Sequence, residues 1–231
     1  MSSTTHSGRR ATLTLAGLLA VASMVAALAV SGTREGHAAT GHTHVAATTA
    51  ATAEQVRFHD AMRKLWEDHI TWTRLAIVSF AGGLPDFDPT AARLLRNQDD
   101  IGNAIKPYYG RRAGGRLTAL LKEHIAGAVE LLKAAKAGDD ATFTAAKRSW
   151  YRNGRQVARF LSAANPRFLP LSKTGALMKG HLDQTLAEAG HRLAGHFAAD
   201  VRDYDRIHRH IVMMADAISN GIIKQFPDQF R

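Results

Sequence analysis

The chain has 231 residues, with 30 Lys and Arg against 20 Asp and Glu and no cysteine, so its formal net charge is +10 at pH 7. The lack of cysteine excludes a disulfide framework, so an ordinary hydrophobic core must hold the fold. The positive charge favours an anionic cell-wall polymer or a membrane surface as a partner. It does not indicate nucleic acid, because the basic residues are spread along the chain and aromatic residues do not interleave with them.

The first 38 residues have the pattern of an export signal. Arg9 and Arg10 precede an uncharged stretch at 11–30, and "GHA" before Ala39 offers a small residue for cleavage. Twenty apolar residues could also span a bilayer, so an uncleaved anchor is the alternative. We therefore expect a secreted or otherwise extracytoplasmic protein. Residues 39–52, rich in Ala and Thr, are predicted to be a disordered leader.

Residues 53–231 are predicted to form one all-α domain. Apolar residues recur at three and four positions, and no long run alternates as a strand would. The pattern predicts a single up-and-down bundle of six helices, at residues 53–81, 89–108, 112–137, 140–164, 172–195 and 199–225. Asp88 and Asp140 are predicted to cap helix N-termini, with Gly138 just before the second of these helices.

A repeated pattern runs through the predicted helices. The segments "LWEDHITWTRLAI" (65–77), "LLKEHIAGAVELL" (120–132) and "LMKGHLDQTLAEA" (177–189) each carry a leucine four positions before a histidine. The histidines are His69, His124 and His181, in the first, third and fifth helices. Three repeated helical hairpins explain this spacing most simply.

The helical phase of each segment predicts that all three histidines face the core. Heights counted from the hairpin turns offer each ring a polar or sulfur-bearing neighbour on its return helix: Asn97 or Asp100 for His69, Asn153 for His124, and Met213 and Asp216 for His181.

Two interpretations follow from inward histidines. Each ring could bond to a side chain of its own hairpin and form a polar layer that sets helix register, because an unsatisfied buried polar group costs about 1 to 3 kcal/mol. Alternatively, the three rings converge on a metal ion, with Asp100, Asp216 or Glu188 adding an oxygen ligand. Three imidazoles suit zinc or copper, and a mixture of histidine and carboxylate suits iron. For copper, Met178, Met213 and Met214 would be soft ligands; otherwise these methionines fill the core.

Two weaker patterns also involve charged residues. Glu188 with His191, and Asp205 with His208, resemble half of a di-iron carboxylate site, but the partner glutamates are missing and solvated helix ends are the favoured explanation of the pairs. The segment "GRRAGGR" (110–116) could hold an anion at a helix start or be a basic solvated turn. No nucleophile or phosphate-loop motif is present, so a binding role is favoured over an enzyme.

Three further segments carry a family resemblance: "LLRNQDDIGNAIKPYYG" (94–110), "SWYRNGRQVARFLSAANP" (149–166) and "HIVMMADAISNGIIKQFPDQF" (210–230). They resemble a family of exported, all-helical bacterial proteins of spore formers and actinomycetes. The resemblance implies an envelope or secreted location and one helical domain, and it brings no established reaction or ligand.

Overall fold

The computed structural model describes residues 51–231, which form six α-helices and one short 3-10 helix without a strand. The helices are α1 (Ala53–Gly82), α2 (Phe87–Ala104), α3 (Lys106–Ala137), α4 (Asp140–Ala164), α5 (Leu171–Leu193) and α6 (Phe197–Gln225), and the 3-10 helix is Pro227–Phe230. The predicted all-α class and the six-helix count are confirmed. The predicted export signal and nearly all of the leader lie outside the described residues.

The helices form a closed ring. Each helix packs against the next along the chain, and α6 packs back against α1. Helix α5 also contacts α1 and α3, so the three odd-numbered helices approach one another across the centre. This arrangement is the up-and-down bundle that the helical pattern predicts. It brings together the three helices that carry the predicted histidines.

The two ends of the described chain meet. Thr52 caps α1 by accepting a hydrogen bond from the Gln55 backbone N–H, and its hydroxyl donates to the Phe230 carbonyl at 2.6 Å. The Phe230 ring is itself buried in the core. Thr52, the last residue of the predicted leader, therefore packs with the folded domain as the N-cap of α1.

The caps at two hairpin turns differ from the predicted ones. Asp139, one residue before the predicted Asp140, accepts the Thr142 backbone N–H at 2.9 Å. It directly follows Gly138, which ends α3 in the left-handed conformation with φ 68°. Helix α2 begins at Phe87, so Asp86 rather than Asp88 is its N-cap residue. Asp86 accepts a hydrogen bond from Ser79 across the turn.

The junction of α2 and α3 also differs from the predicted break at 108–112. The chain turns at Ile105, makes one helical turn, and passes through Gly110 at φ 84° before the helix continues. Beyond the kink, Gly114 lies against α2: a Cβ on Gly114 would stand 2.5 Å from the Gly102 carbonyl oxygen. Gly110 and Gly114 of "GRRAGGR" therefore serve a kink and a close helix crossing, while Arg111 and Arg112 are exposed.

A single main core fills the bundle, and buried residues of all six helices contribute to it, among them Met62, Ile101, Leu120, Val157, Leu182 and Ile211. Among the described residues, we find no helix long and apolar enough to cross a membrane.

Candidate functional site: a buried three-histidine cluster

The three predicted histidines meet in the interior of the bundle. His69, His124 and His181 are 2 to 3 % exposed, which confirms that each ring faces the core. The ring centroids of His69 and His181 are 5.6 Å apart, and those of His124 and His181 are 5.9 Å apart. These three side chains are called the histidine cluster below. His181 is its middle member, since it lies near both other rings.

The hydrogen bonds of Asn153 determine which nitrogen of His124 carries a proton. The Asn153 amide nitrogen donates to the Leu120 carbonyl at 3.1 Å, so the amide oxygen points to His124 Nδ1 at 3.0 Å. An amide oxygen only accepts, so His124 Nδ1 must be the donor. The neutral ring then keeps the lone pair on Nε2. Asn153 is the neighbour predicted for His124 from the hairpin count.

His69 has the opposite arrangement. Its Nδ1 lies 3.2 Å from the Gln98 amide nitrogen, which also donates to the Leu94 carbonyl at 2.8 Å. Because an amide nitrogen has no lone pair to offer, Nδ1 of His69 is the acceptor and its proton sits on Nε2. The partner is thus Gln98, next to the predicted Asn97, while the other predicted neighbour, Asp100, is exposed.

His181 lacks such a partner. Its Nδ1 is buried and has no hydrogen-bond partner among the described residues. The predicted neighbours do not reach it: Met213 is 52 % exposed, and Asp216 binds Arg63 through two hydrogen bonds of 2.6 and 2.8 Å. One ring of the cluster is therefore left with an unsatisfied nitrogen in the core.

The three hairpins nevertheless share one contact. In each, a side chain of the return helix bonds to the carbonyl four residues before the histidine: Asn97 to Leu65 at 3.0 Å, Asn153 to Leu120 at 3.1 Å, and His210 to Leu177 at 2.9 Å. His210 thus occupies in the third hairpin the place that asparagine holds in the other two. Common ancestry of the hairpins stays a prediction.

Burial keeps the cluster uncharged. Desolvation lowers the pKa of His69 to about 3, with a further contribution from the nearby His124, and it lowers the pKa of His124 to about 4. The pKa of His181 is lowered well below its ordinary value by burial and then by the His69 and His124 rings. All three imidazoles are therefore neutral at pH 7, the form in which histidine binds a metal.

Two of the three predicted oxygen ligands are engaged elsewhere. Asp216 accepts from Arg63, and Glu188 accepts from Arg74 at 2.8 Å. Within residues 51–231, no group of three or more His, Cys, Asp or Glu side chains is arranged to hold a metal ion. The three rings thus lie close together, and a metal site at the cluster stays a prediction.

Glu188 belongs to a buried ionic network between α1, α5 and α6. Arg74 bonds to both oxygens of Asp200, at 2.5 and 3.1 Å, as well as to Glu188, and the two carboxylates are 0 and 2 % exposed. Burial raises the pKa of Glu188 to about 7 although Arg74 acts to lower it, and the negative charge of Asp200 adds a smaller upward contribution.

The carboxylate and histidine pairs do not form half of a di-iron site. His191 binds Asp203 at 2.5 Å, and His208 pairs with Glu67 at 3.4 Å, while Asp205 is exposed. Each histidine therefore takes a carboxylate other than the one predicted.

Sequence reasoning missed Gln98 and His210. The spacing of the return-helix positions 97, 153 and 210 nearly repeats that of the histidines, so aligning the return helices as well would have identified His210. Gln98 has no such signal, because its approach to His69 depends on the rotation of α2 about its own axis. The chain matches no known family model, no curated protein and no solved structure.

Proposed function

We propose that the protein is an exported binding protein whose histidine cluster holds one transition-metal ion. The observation that carries the proposal is the convergence of three neutral rings around His181, whose Nδ1 is buried without a partner. A buried nitrogen left unsatisfied costs about 1 to 3 kcal/mol, and a bound ion would remove that cost.

The hydrogen bonds of the three histidines indicate how readily each ring could offer a nitrogen to the ion. His124 offers Nε2 at once, since its proton is held on Nδ1 by Asn153. An outer hydrogen bond of this kind orients many metal-binding histidines. His181 offers Nδ1. His69 joins only after its Nδ1 leaves Gln98 or its proton moves, so we place it as the third ligand.

The charge of the surroundings favours monovalent copper. Glu188 and Asp216 are held by arginines, and so neither is free to neutralise an ion at the cluster. The cost of burying an ion grows with the square of its charge and is already large for one charge. Imidazole ligands suit copper. Cu(I) therefore fits an uncharged site better than zinc or iron does.

The test is an anaerobic titration of the purified protein with Cu(I) against a chromophoric chelator, with a parallel zinc titration. We expect one copper per chain, a raised melting temperature, and loss of both effects in His181→Leu. His208→Leu, which removes a partly exposed histidine, is the matched control and should bind as the wild type does. Failure of the wild type to bind copper or zinc stoichiometrically would end the proposal.

A second candidate is an architectural role within the cell envelope. It is favoured by the bonds that His124 and His69 make inside their own hairpins, as a polar layer would. The partner would then be an anionic polymer or membrane surface held by the basic chain. Salt-sensitive retention of the protein on purified cell walls supports this candidate, and its absence argues against it.

A further inference from the structure

An apolar pocket lies beside the histidine cluster. It has a volume of about 40 Å³ and draws its walls from α1 to α5. Thr73, Ala128 and Thr185 line it, and each stands four residues after a histidine of the cluster. The pocket therefore begins one helical turn, about 5.4 Å, beyond the histidines on the side of the hairpin turns.

The hydrogen-bond donors of the wall side chains are already satisfied. The hydroxyl of Thr73 donates to the His69 carbonyl at 2.7 Å, and that of Thr185 donates to the His181 carbonyl at 2.9 Å. The indole N–H of Trp150 donates to the His124 carbonyl at 3.1 Å. Each of these side chains therefore donates its hydrogen to a backbone carbonyl beside the cluster, and the surface that it turns to the pocket is carbon.

This lining decides what the pocket can hold. An internal water needs two to four polar partners, and a space of about 10 to 15 Å³ is enough for one. The pocket is larger than that space, but every hydrogen-bond donor of its wall side chains is already bound to a backbone carbonyl. Apolar cavities of this kind stay dry and take up apolar guests.

Small side chains explain why the pocket is not filled, and partly buried side chains explain how a molecule could reach it. Ala76, Ala128 and Ala189 come from three different helices, and so no large side chain fills the middle. Several lining residues, among them Thr73, Phe87 and Val129, are only partly buried, so the pocket is not fully enclosed by the core.

We propose that this pocket is a binding site for one small, uncharged apolar molecule of a few heavy atoms. The site is independent of any metal at the cluster, because its wall includes none of the three histidines. Trp150 connects the two sites, since its ring stacks on His124 with centroids 5.0 Å apart and also lines the pocket.

Xenon is a suitable probe, because it is apolar and makes no directional bonds. With ¹⁵N-labelled protein under increasing xenon pressure, we expect saturable shifts of the amide signals of Ile125, Ala128 and Ala189, whose side chains line the pocket. Ala128→Leu fills the space and should abolish the shifts. Ala126→Leu adds the same side chain at an exposed position two residues away and should leave them unchanged.

Ala189→Val fills the pocket from α5 and should weaken the shifts. It is a second filled variant, which tests whether the loss of shifts in Ala128→Leu results from filling the pocket. Circular dichroism verifies that each variant is folded. Non-saturable shifts in the wild type, or equal shifts in the wild type and the folded filled variants, would overturn the proposal. Neither outcome bears on copper binding, which is measured separately.

Discussion

His124 donates its Nδ1 hydrogen to Asn153 across the α3–α4 hairpin at 3.0 Å, while the same asparagine donates to the Leu120 carbonyl at 3.1 Å. One amide thus satisfies a ring nitrogen of α3 and a carbonyl of the same helix, one turn apart. It sets both the proton position of the ring and the register of the hairpin.

Replacing Asn153 with alanine should destabilise the protein by about 1 to 3 kcal/mol, because it leaves the buried N–H of His124 without a partner and removes the second bond to the Leu120 carbonyl. The measurement is urea unfolding at pH 7.5. Asn220→Ala, at an exposed position of α6, is the control and should change the free energy of unfolding by less than about 0.5 kcal/mol. Equal effects of the two substitutions would show that the hairpin bond is unimportant for stability.

Replacing His181 with leucine should not destabilise the metal-free protein at pH 7.5 and is expected to stabilise it by up to about 2 kcal/mol. The substitution removes a buried nitrogen that has no partner and keeps a side chain of similar size. Chemical denaturation of chelator-treated protein measures the difference. A measurable loss of stability would mean that His181 makes an important contact in the metal-free fold.

The stabilising effect of His181→Leu should grow in acid. The folded pKa of His181 lies well below its unfolded value near 6.5, so the unfolded chain binds the proton first and stability falls as the pH drops below about 6.5. At pH 4.5 the variant should have gained more over the wild type than at pH 7.5, by at most about 3 kcal/mol. Glu188, whose folded pKa is raised to about 7, acts in the opposite direction, but it is present in both proteins.

The acid effect is measured by urea unfolding of both proteins from pH 7.5 to 4.5. Parallel curves would show that the ring is protonated in the folded state as readily as in the unfolded chain, which contradicts its burial among neutral neighbours.

Replacing Arg74 with methionine should cost about 3 to 5 kcal/mol at pH 8, because Glu188 and Asp200 remain buried without their shared cation. The loss should be smaller at pH 5. Without Arg74 the folded pKa of Glu188 rises further, so the folded state takes up a proton more readily than the unfolded state as the pH falls.

Arg57→Met is the matched control on the same helix. Arg57 pairs with Glu54 in an exposed contact, so its loss should cost less than about 1 kcal/mol. The interpretation of the network would fail if the loss in Arg74→Met were as small, or if it did not vary with pH.

Replacing Gly102 with alanine should destabilise the α2–α3 crossing by about 1 to 3 kcal/mol. The new Cβ would stand 2.0 Å from the Thr118 hydroxyl and 2.7 Å from the Gly114 carbonyl, and the backbone atom cannot move aside easily. Gly115→Ala, which meets open space on α3, should instead stabilise by up to about 1 kcal/mol through helix propensity. Thermal unfolding of the two variants should therefore shift in opposite directions.

The sequence by itself determined the helical class, the number of helices and the inward direction of His69, His124 and His181. These properties depend on the 3.6-residue period, which each helix carries in its own residues. Counting along a hairpin also identified Asn153 correctly, because height above a turn follows from the rise per residue alone.

Only the tertiary structure decided which side chains complete the site. Counting gives height but not the rotation of the return helix, so Gln98 rather than Asp100 contacts His69, and Met213 points outward instead of toward His181. The close approach of the three imidazole rings, and the apolar pocket beside them, depend on how α1, α3 and α5 pack across the centre of the bundle. No local pattern encodes that packing, because it results from contacts among residues more than fifty positions apart.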